Sequence, residues 1–220
     1  MRGPRHIGAM AILKIARMGH PVLKRCAEEI ADPEAPEIAS LVEFMLDTMA
    51  DADGLGLAAP QVYVPLRLVI FRIPPPDVGY EEELDRETLS LRILINPRIE
   101  PLSEEKALGW EGCLSVPGLR GKVRRYTEIR YRGLSPGGEV IDDVAEGLHA
   151  RVVQHECDHL DGVLYPMRMD DMSTLTFESE WKHLRKADAE AQSEDLAEDL
   201  AEDLAEANPE EEEEELERAS

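Results

Sequence analysis

The chain reads as an α+β domain: mostly antiparallel strands packed around a central helix, then a C-terminal helix and an acidic tail. Three observations predict this. Stretches of β character follow one another between residues 66 and 141, separated by turn residues, an order that favours antiparallel pairing. Apolar stripes at helical spacing stand before and after that region. Beyond Ala187 the composition collapses to Glu, Asp, Leu and Ala.

The elements follow in order. Residues 1–9 form an extension, and Met10 opens a more typical start, Met-Ala-Ile-Leu-Lys-Ile. Asp32-Pro33 and Pro36 punctuate a loop. Ile38, Leu41, Val42, Met45, Leu46 and Met49 then recur at helical spacing, with the methionines as core filling. A glycine-rich turn spans residues 54–61. Residues 66–73 read as a strand, ended by Pro74-Pro75-Pro76 and a polar loop to about Ser90. Residues 91–95 make a second strand, stopped by Asn96-Pro97. Residues 123–134 make one longer strand with Ile129 and Tyr131 on a single face, and residues 139–141 return after the turn Ser135-Pro136-Gly137-Gly138. From Glu146 a helix carries Leu148, Val152, His155 and His159 on one stripe, with Gly162 as its C-cap. A further helix starts near Ser173 and includes Phe177, Trp181 and Leu184. The expected partition is extension 1–9, main domain 10–170, helix 171–186 and tail 187–220.

The formal net charge is −23 over 220 residues. Residues 187–220 hold 16 acidic residues against Arg218 alone, which leaves −8 for the rest. That remainder shows no basic stripe for a phosphate backbone, so direct nucleic-acid binding is not expected. In the tail Glu194-Asp195-Leu196-Ala197 recurs twice more, and residues 210–215 are all Glu. Like charges and a thin leucine stripe predict a solvated tail, helical in part and disordered toward its end. A solubilising extension is preferred to contact with a basic protein surface. Three sparse cysteines, Cys26, Cys113 and Cys157, argue for a reducing compartment rather than a disulfide framework. No apolar run approaches a membrane span, and Lys14 and Arg17 interrupt any signal-peptide core. Cytoplasm and monomer are the default expectations.

His155-Glu156-Cys157-Asp158-His159 is an H-E-x-x-H sequence. Residues four apart share a helix face, so two imidazoles can grip one metal ion while the adjacent Glu acts on a water. Two hydrogen-bonded core histidines would show the same pattern. A third ligand decides between classes. Tyr165 stands where a metzincin would place its third His, which disfavours that class. Glu178 or Glu180 stands where a thermolysin-like peptidase would take its Glu. Cys113, within Glu111-Gly112-Cys113-Leu114-Ser115, offers a thiolate, although a lone cysteine also reads as a small buried apolar residue. Cys26 and Cys157 read as inert. A third reading makes the chain a non-catalytic module whose tail does the work.

Three stretches then resemble the signature motifs of peptide deformylases, in that family's order and spacing: Gly54-Leu55-Gly56-Leu57-Ala58-Ala59-Pro60-Gln61, Glu111-Gly112-Cys113-Leu114-Ser115, and Gln154-His155-Glu156-Cys157-Asp158-His159. Gly19-His20-Pro21-Val22-Leu23 fits as well. The likeness runs from about Met10 to Met169 and omits the tail. Leu114 and the following residues 116–121 look closest to the subgroup shared by some proteobacteria and plant organelles. Trp110 and Arg151 are less typical of the family.

The resemblance implies a hydrolase that removes the formyl group from the N-terminal formylmethionine of nascent polypeptides, at or near the ribosome. It implies Cys113, His155 and His159 as ligands of one divalent ion, usually Fe2+, with Zn2+, Ni2+ or Co2+ able to occupy the site. It implies Glu156 as general base and then acid, Gln61 and the Leu114 backbone N–H as oxyanion donors, and Gly56 as a hydrogen-bonding partner of the peptide backbone. Leu55, Leu148 and Val152 are candidates for the walls of the methionine pocket, and plain core packing explains them equally well. Arg125 is a candidate partner for Glu111.

Overall fold

The computed structural model describes residues 11–74, 89–181 and 183–184. The chain divides into two compact units, Met1–Thr176 and Phe177–Ser220.

The first unit opens its regular structure with α1 (Pro36–Asp51), started by a proline in the first turn with Glu37 beside it, both favourable at a helix N-terminus. Its buried stripe of Ile38, Val42, Met45 and Met49 packs with Leu57, Leu68, Ile70 and Ile95. Among the described residues, seven strands precede the next α-helix: β1 (Gly56–Ala58), β2 (Leu68–Ile73), β3 (Ser90–Pro101), β4 (Lys106–Cys113), β5 (Val116–Tyr126), β6 (Glu128–Leu134) and β7 (Val140–Glu146). Five of them form an antiparallel sheet in the order β1-β2-β3-β6-β7. The β4–β5 hairpin builds a second sheet. The last helix of this unit, α2 (Gly147–Leu160), lies against strands of both sheets. It packs Leu148, Val152, Val153, Cys157 and Leu160 into a core with Phe71, Leu94, Ile129 and Tyr131. Gly162, at φ +74°, ends it as expected, and a Cβ there would stand 2.7 Å from the Lys24 carbonyl carbon.

Four expectations need correction. Residues 123–134 are not one strand: β5 ends at Tyr126 and β6 begins at Glu128, in different sheets. Val123, Arg125, Ile129 and Tyr131 are all buried, so the odd-numbered positions face inward on both sides of the half-buried corner at Thr127. Period-two patterning reports which face is inside, not which strand is the neighbour. The corner is held by Thr127 N–H donating to the Glu105 carbonyl (3.1 Å) and Gly147 N–H donating to the Thr127 carbonyl (3.0 Å).

Nor does Asn96-Pro97 stop the second strand. β3 runs on to Pro101 through an irregularity between Ile95 and Arg98, where Asn96 takes φ +50°. Asn tolerates that conformation, and Pro is accommodated at a bulge. The Asn96 amide also bridges to Ile30, accepting from its N–H and donating to its carbonyl, each at 2.9 Å. β4 and most of β5 had no counterpart in the expected elements, because Gly109, Gly112, Gly118 and Gly121 dilute the strand pattern there. Cys113 is the last residue of β4.

The helix expected from Ser173 begins later. Met172–Thr174 is a single 3-10 turn, capped by the Asp171 side chain, and Thr176–Phe177 is extended. Within the second unit, residues 178–181 and 183–184 are helical, so Trp181 and Leu184 are in helix and Phe177 is not. The expectations for residues 1–9, for most of the 74–90 loop and for the tail 187–220 lie outside the described residues. Among the described residues, no helix is long and apolar enough to cross a membrane.

Asn96→Gly keeps the left-handed backbone accessible and removes both side-chain bonds to Ile30. Urea unfolding should show a loss of about 2 kcal/mol; an unchanged midpoint would mean that this bridge contributes nothing.

Candidate metal centre

Helix α2 is buried on almost every side, yet His149, Arg151, Gln154, Glu156, Asp158 and His159 are among its buried residues. Buried polar groups persist where they find partners. Gln154 meets this with the backbone at the end of β5: its amide donates to the Tyr126 carbonyl (2.9 Å) and accepts from Tyr126 N–H (3.2 Å).

His155, the next residue, and His159, one turn beyond it, face the same way, with ring centroids 5.1 Å apart in an edge-on arrangement. Cys113 reaches them from the end of β4, where the β4–β5 ladder shifts register between Gly112 and Cys113. One ligand atom from each of Cys113, His155 and His159 lies within 4.8 Å of the others, and Cys113 Sγ stands 3.3 Å from His159 Nε2. Glu178 and Glu180 are not needed to complete this set. Cys157 is buried, burial pushes its thiol up, and Cys26 is exposed; neither belongs to the group.

Glu111 backs the site. Its Oε2 lies 2.8 Å from His155 Nδ1, which leaves Nε2 for the ligand cluster. Arg125 grips the same carboxylate through both oxygens, Nε to Oε1 at 2.9 Å and a terminal nitrogen to Oε2 at 3.0 Å. The expected Arg125–Glu111 pair is thus present, and it is buried, so the discount for exposed ion pairs does not apply. The other terminal nitrogen of Arg125 donates to Asp158 (2.6 Å), which Arg168 also holds (2.7 and 3.1 Å). Asp158 and Arg168 were not singled out from sequence. Asp158 stood inside a quoted motif, but Arg168 carries no local signal.

These contacts set the protonation states. Burial pushes the Glu111 carboxyl up, but hydrogen bonds from His155 and Arg125 outweigh it and hold the group well below the usual carboxylate range. Burial pulls His159 well down, reinforced by His155 and Arg125, so that ring stays neutral. Burial also pulls His155 down, but Cys113 and Glu111 outweigh it and keep its pKa well above the ordinary value.

Glu156 is 5% exposed, burial raises its pKa to about 7, and its Oε2 has no hydrogen-bond partner. Gly56, in β1, is where the backbone passes this carboxylate: a Cβ there would come within 2.6 Å of the Glu156 carboxyl carbon. Gln61 is buried in the 3-10 turn that follows β1. Its Oε1 accepts from Ala58 N–H (2.8 Å), which aims Nε2 at the Ser115 hydroxyl (3.2 Å) and Cys113 Sγ (3.6 Å). Ser115, fully buried, also donates its N–H to Cys113 Sγ (3.4 Å). Leu114, between them, is half-buried against the α1 cluster. Leu148 and Val152 are core residues of the α2 cluster, with Leu55 half-buried beside them.

The donor set fits a divalent ion. One sulfur and two imidazoles converge, and a buried carboxylate oxygen without a partner stands on the residue between the two histidines.

Comparison with known proteins places this geometry. A family model described as polypeptide deformylase matches residues 12–174. The chain is 51% identical over 166 residues to peptide deformylase 2 of Ralstonia nicotianae, covering 76% of this chain and 92% of that protein. It is 52% identical over 162 residues to peptide deformylase 1 of Bordetella pertussis, covering 72% and 88%. Among solved structures it is similar to a Met-Ala-Ser-bound class I type b peptide deformylase from Acinetobacter baumannii, at TM-score 0.65 and 34% identity, over 73% of this chain and 99% of that one.

Cys113→Ala should abolish stoichiometric metal uptake, measured by inductively coupled plasma mass spectrometry, while Glu178→Ala and Glu180→Ala leave it intact. Loss of metal from either Glu variant instead would restore the peptidase-type ligand set.

Proposed function

The chain belongs to the polypeptide deformylase family and removes the N-formyl group from the formylmethionine of new polypeptides, releasing formate; we propose that it does so at the centre formed by Cys113, His155, His159 and Glu156. The observation that carries this assignment is the unpartnered, buried Glu156 Oε2 beside one sulfur and two imidazole ligands.

Cys113, His155 and His159 would hold a divalent ion, which when bound would supply Lewis-acid chemistry. Glu156 takes the proton from the water that attacks the formyl carbon. Burial suits it to this task, since a carboxyl raised to about 7 both accepts and returns a proton near neutrality. The same carboxyl then delivers the proton to the departing amine of methionine, and formate leaves.

Negative charge gathers on the formyl oxygen during attack and needs donors already in place. The Gln61 amide and the Leu114 backbone N–H fill that role. Gln61 is pre-aimed, because Ala58 N–H occupies its oxygen and so turns its NH2 toward Cys113. Gly56 pairs with the substrate backbone as an added strand at β1, the edge of the five-stranded sheet. Leu55, Leu148 and Val152 line the apolar side where the methionine side chain rests.

The finer reading takes Fe2+ as the resident ion, with Zn2+, Ni2+ or Co2+ able to substitute, since a thiolate and two imidazoles suit each of them. It places a monomer in the cytoplasm, meeting nascent chains at the ribosome, and assigns the chemistry to residues 10–170. The sparse, unpaired cysteines support a reducing compartment.

Iron-loaded protein, purified anaerobically, should release formate from formyl-Met-Ala-Ser. Glu156→Gln should retain metal and lose about 100- to 10,000-fold in kcat. Wild-type protein with one metal per chain and no formate release would sink this assignment. Gly56→Ala should keep its metal and lose about 100-fold in kcat, because the new methyl displaces the Glu156 carboxylate; near-normal turnover would show that this close approach is dispensable.

A further inference from the structure

Arg151 lies one turn before His155 on α2 and is 8% exposed. Its guanidinium enters a groove on the face of the β4–β5 hairpin, left open at Gly109. One terminal nitrogen donates to the Val123 carbonyl (2.7 Å), the Gly109 carbonyl (3.3 Å) and Glu111 Oε1 (2.9 Å); the other donates to the Ala107 carbonyl (2.9 Å). Gly109 and Val123 face each other across the hairpin, so the charge spans both strands. The groove is shaped for it: a Cβ on Gly109 would stand 2.7 Å from a guanidinium nitrogen and 2.8 Å from its central carbon.

We propose that Arg151 is a positioning residue for the metal ligand His155, acting through Glu111. Glu111 Oε1 accepts from both Arg125 Nε and Arg151, and Oε2 accepts from Arg125 and faces His155 Nδ1. Arg125 by itself grips the carboxylate along one edge and leaves it free to rock about that edge. A second guanidinium on Oε1, itself fixed by three backbone carbonyls, removes that freedom. The carboxylate plane is then set, and with it the direction in which His155 presents Nε2. The carbonyl bonds alone would make Arg151 a tether between α2 and the hairpin. The bond to Glu111 makes it part of the chain of contacts that ends on the metal.

This inference rests on Cys113, His155 and His159 being the metal site. The test uses Co2+-loaded full-length protein as wild type, Arg151→Met and Gly109→Ala. Gly109→Ala leaves every charge in place and displaces only the guanidinium. Three quantities are read: Co2+ affinity by chelator competition, the visible and thiolate charge-transfer bands of the bound ion, and thermal unfolding of the metal-free protein. Both variants are expected to bind Co2+ about tenfold or more weakly with altered bands, and Gly109→Ala still reports if Arg151→Met does not fold. Variants that lose metal-free stability yet keep wild-type affinity and bands would overturn the proposal and leave Arg151 a tether. Failure of wild type to bind one Co2+ per chain, or bands indifferent to Cys113→Ala, would instead overturn the metal-site reading beneath it.

Discussion

The Glu111 carboxylate, almost wholly buried, is the point through which the sheet, the helix and the candidate ligands are joined. It stands on β4 two residues before Cys113, and it faces His155 on α2 and Arg125 on β5. A carboxylate cannot be left in such a place alone, because desolvation without a partner is prohibitive. Two guanidinium groups and an imidazole resolve the problem together. In doing so they fix how β4 and α2 meet, and therefore how far Cys113 Sγ stands from the two histidines. Removing Glu111 would leave Arg151 and His155 without the carboxylate that joins them and Arg125 with Asp158 alone, so the cluster is tied together at that one group.

The second constraint is closeness. Glu156 is dry enough for burial to lift its pKa toward neutrality, and its proposed role also requires one side open to water and substrate. The β1 backbone closes over it at Gly56, where only a residue without a side chain fits. Gln61 is held by its own turn rather than by the substrate, through the Ala58 N–H. In the proposed role, a donor aimed before the substrate arrives needs no reorganisation during reaction.

How much of this was legible in the sequence depends on the range of the interaction. The H-E-x-x-H spacing placed His155, Glu156 and His159 on one helix, because a helix converts spacing directly into a shared face. The α1 stripe and the end of α2 at Gly162 were local in the same sense. Cys113 stood as a candidate third ligand on its thiolate alone, and the resemblance of the motifs singled it out, since nothing local says which strand end meets which helix. The corner at Thr127 was invisible because the odd-numbered positions from Val123 to Tyr131 face inward on both sides of it while the strand changes sheets. The run of β3 past Asn96-Pro97 was hidden for a similar reason: the bulge is stabilised by Ile30, 66 residues away. Arg168 on Asp158 is likewise a tertiary contact with no signature in its neighbourhood.

The account stands or falls on whether one sulfur and two imidazoles share an ion. X-ray absorption spectroscopy of the zinc-loaded full-length protein measures this directly. The predicted first shell has one sulfur at about 2.3 Å and two nitrogens at about 2.0–2.1 Å, with a light atom in the remaining position. A shell of nitrogen and oxygen without sulfur would contradict it, and with it the role assigned to Cys113.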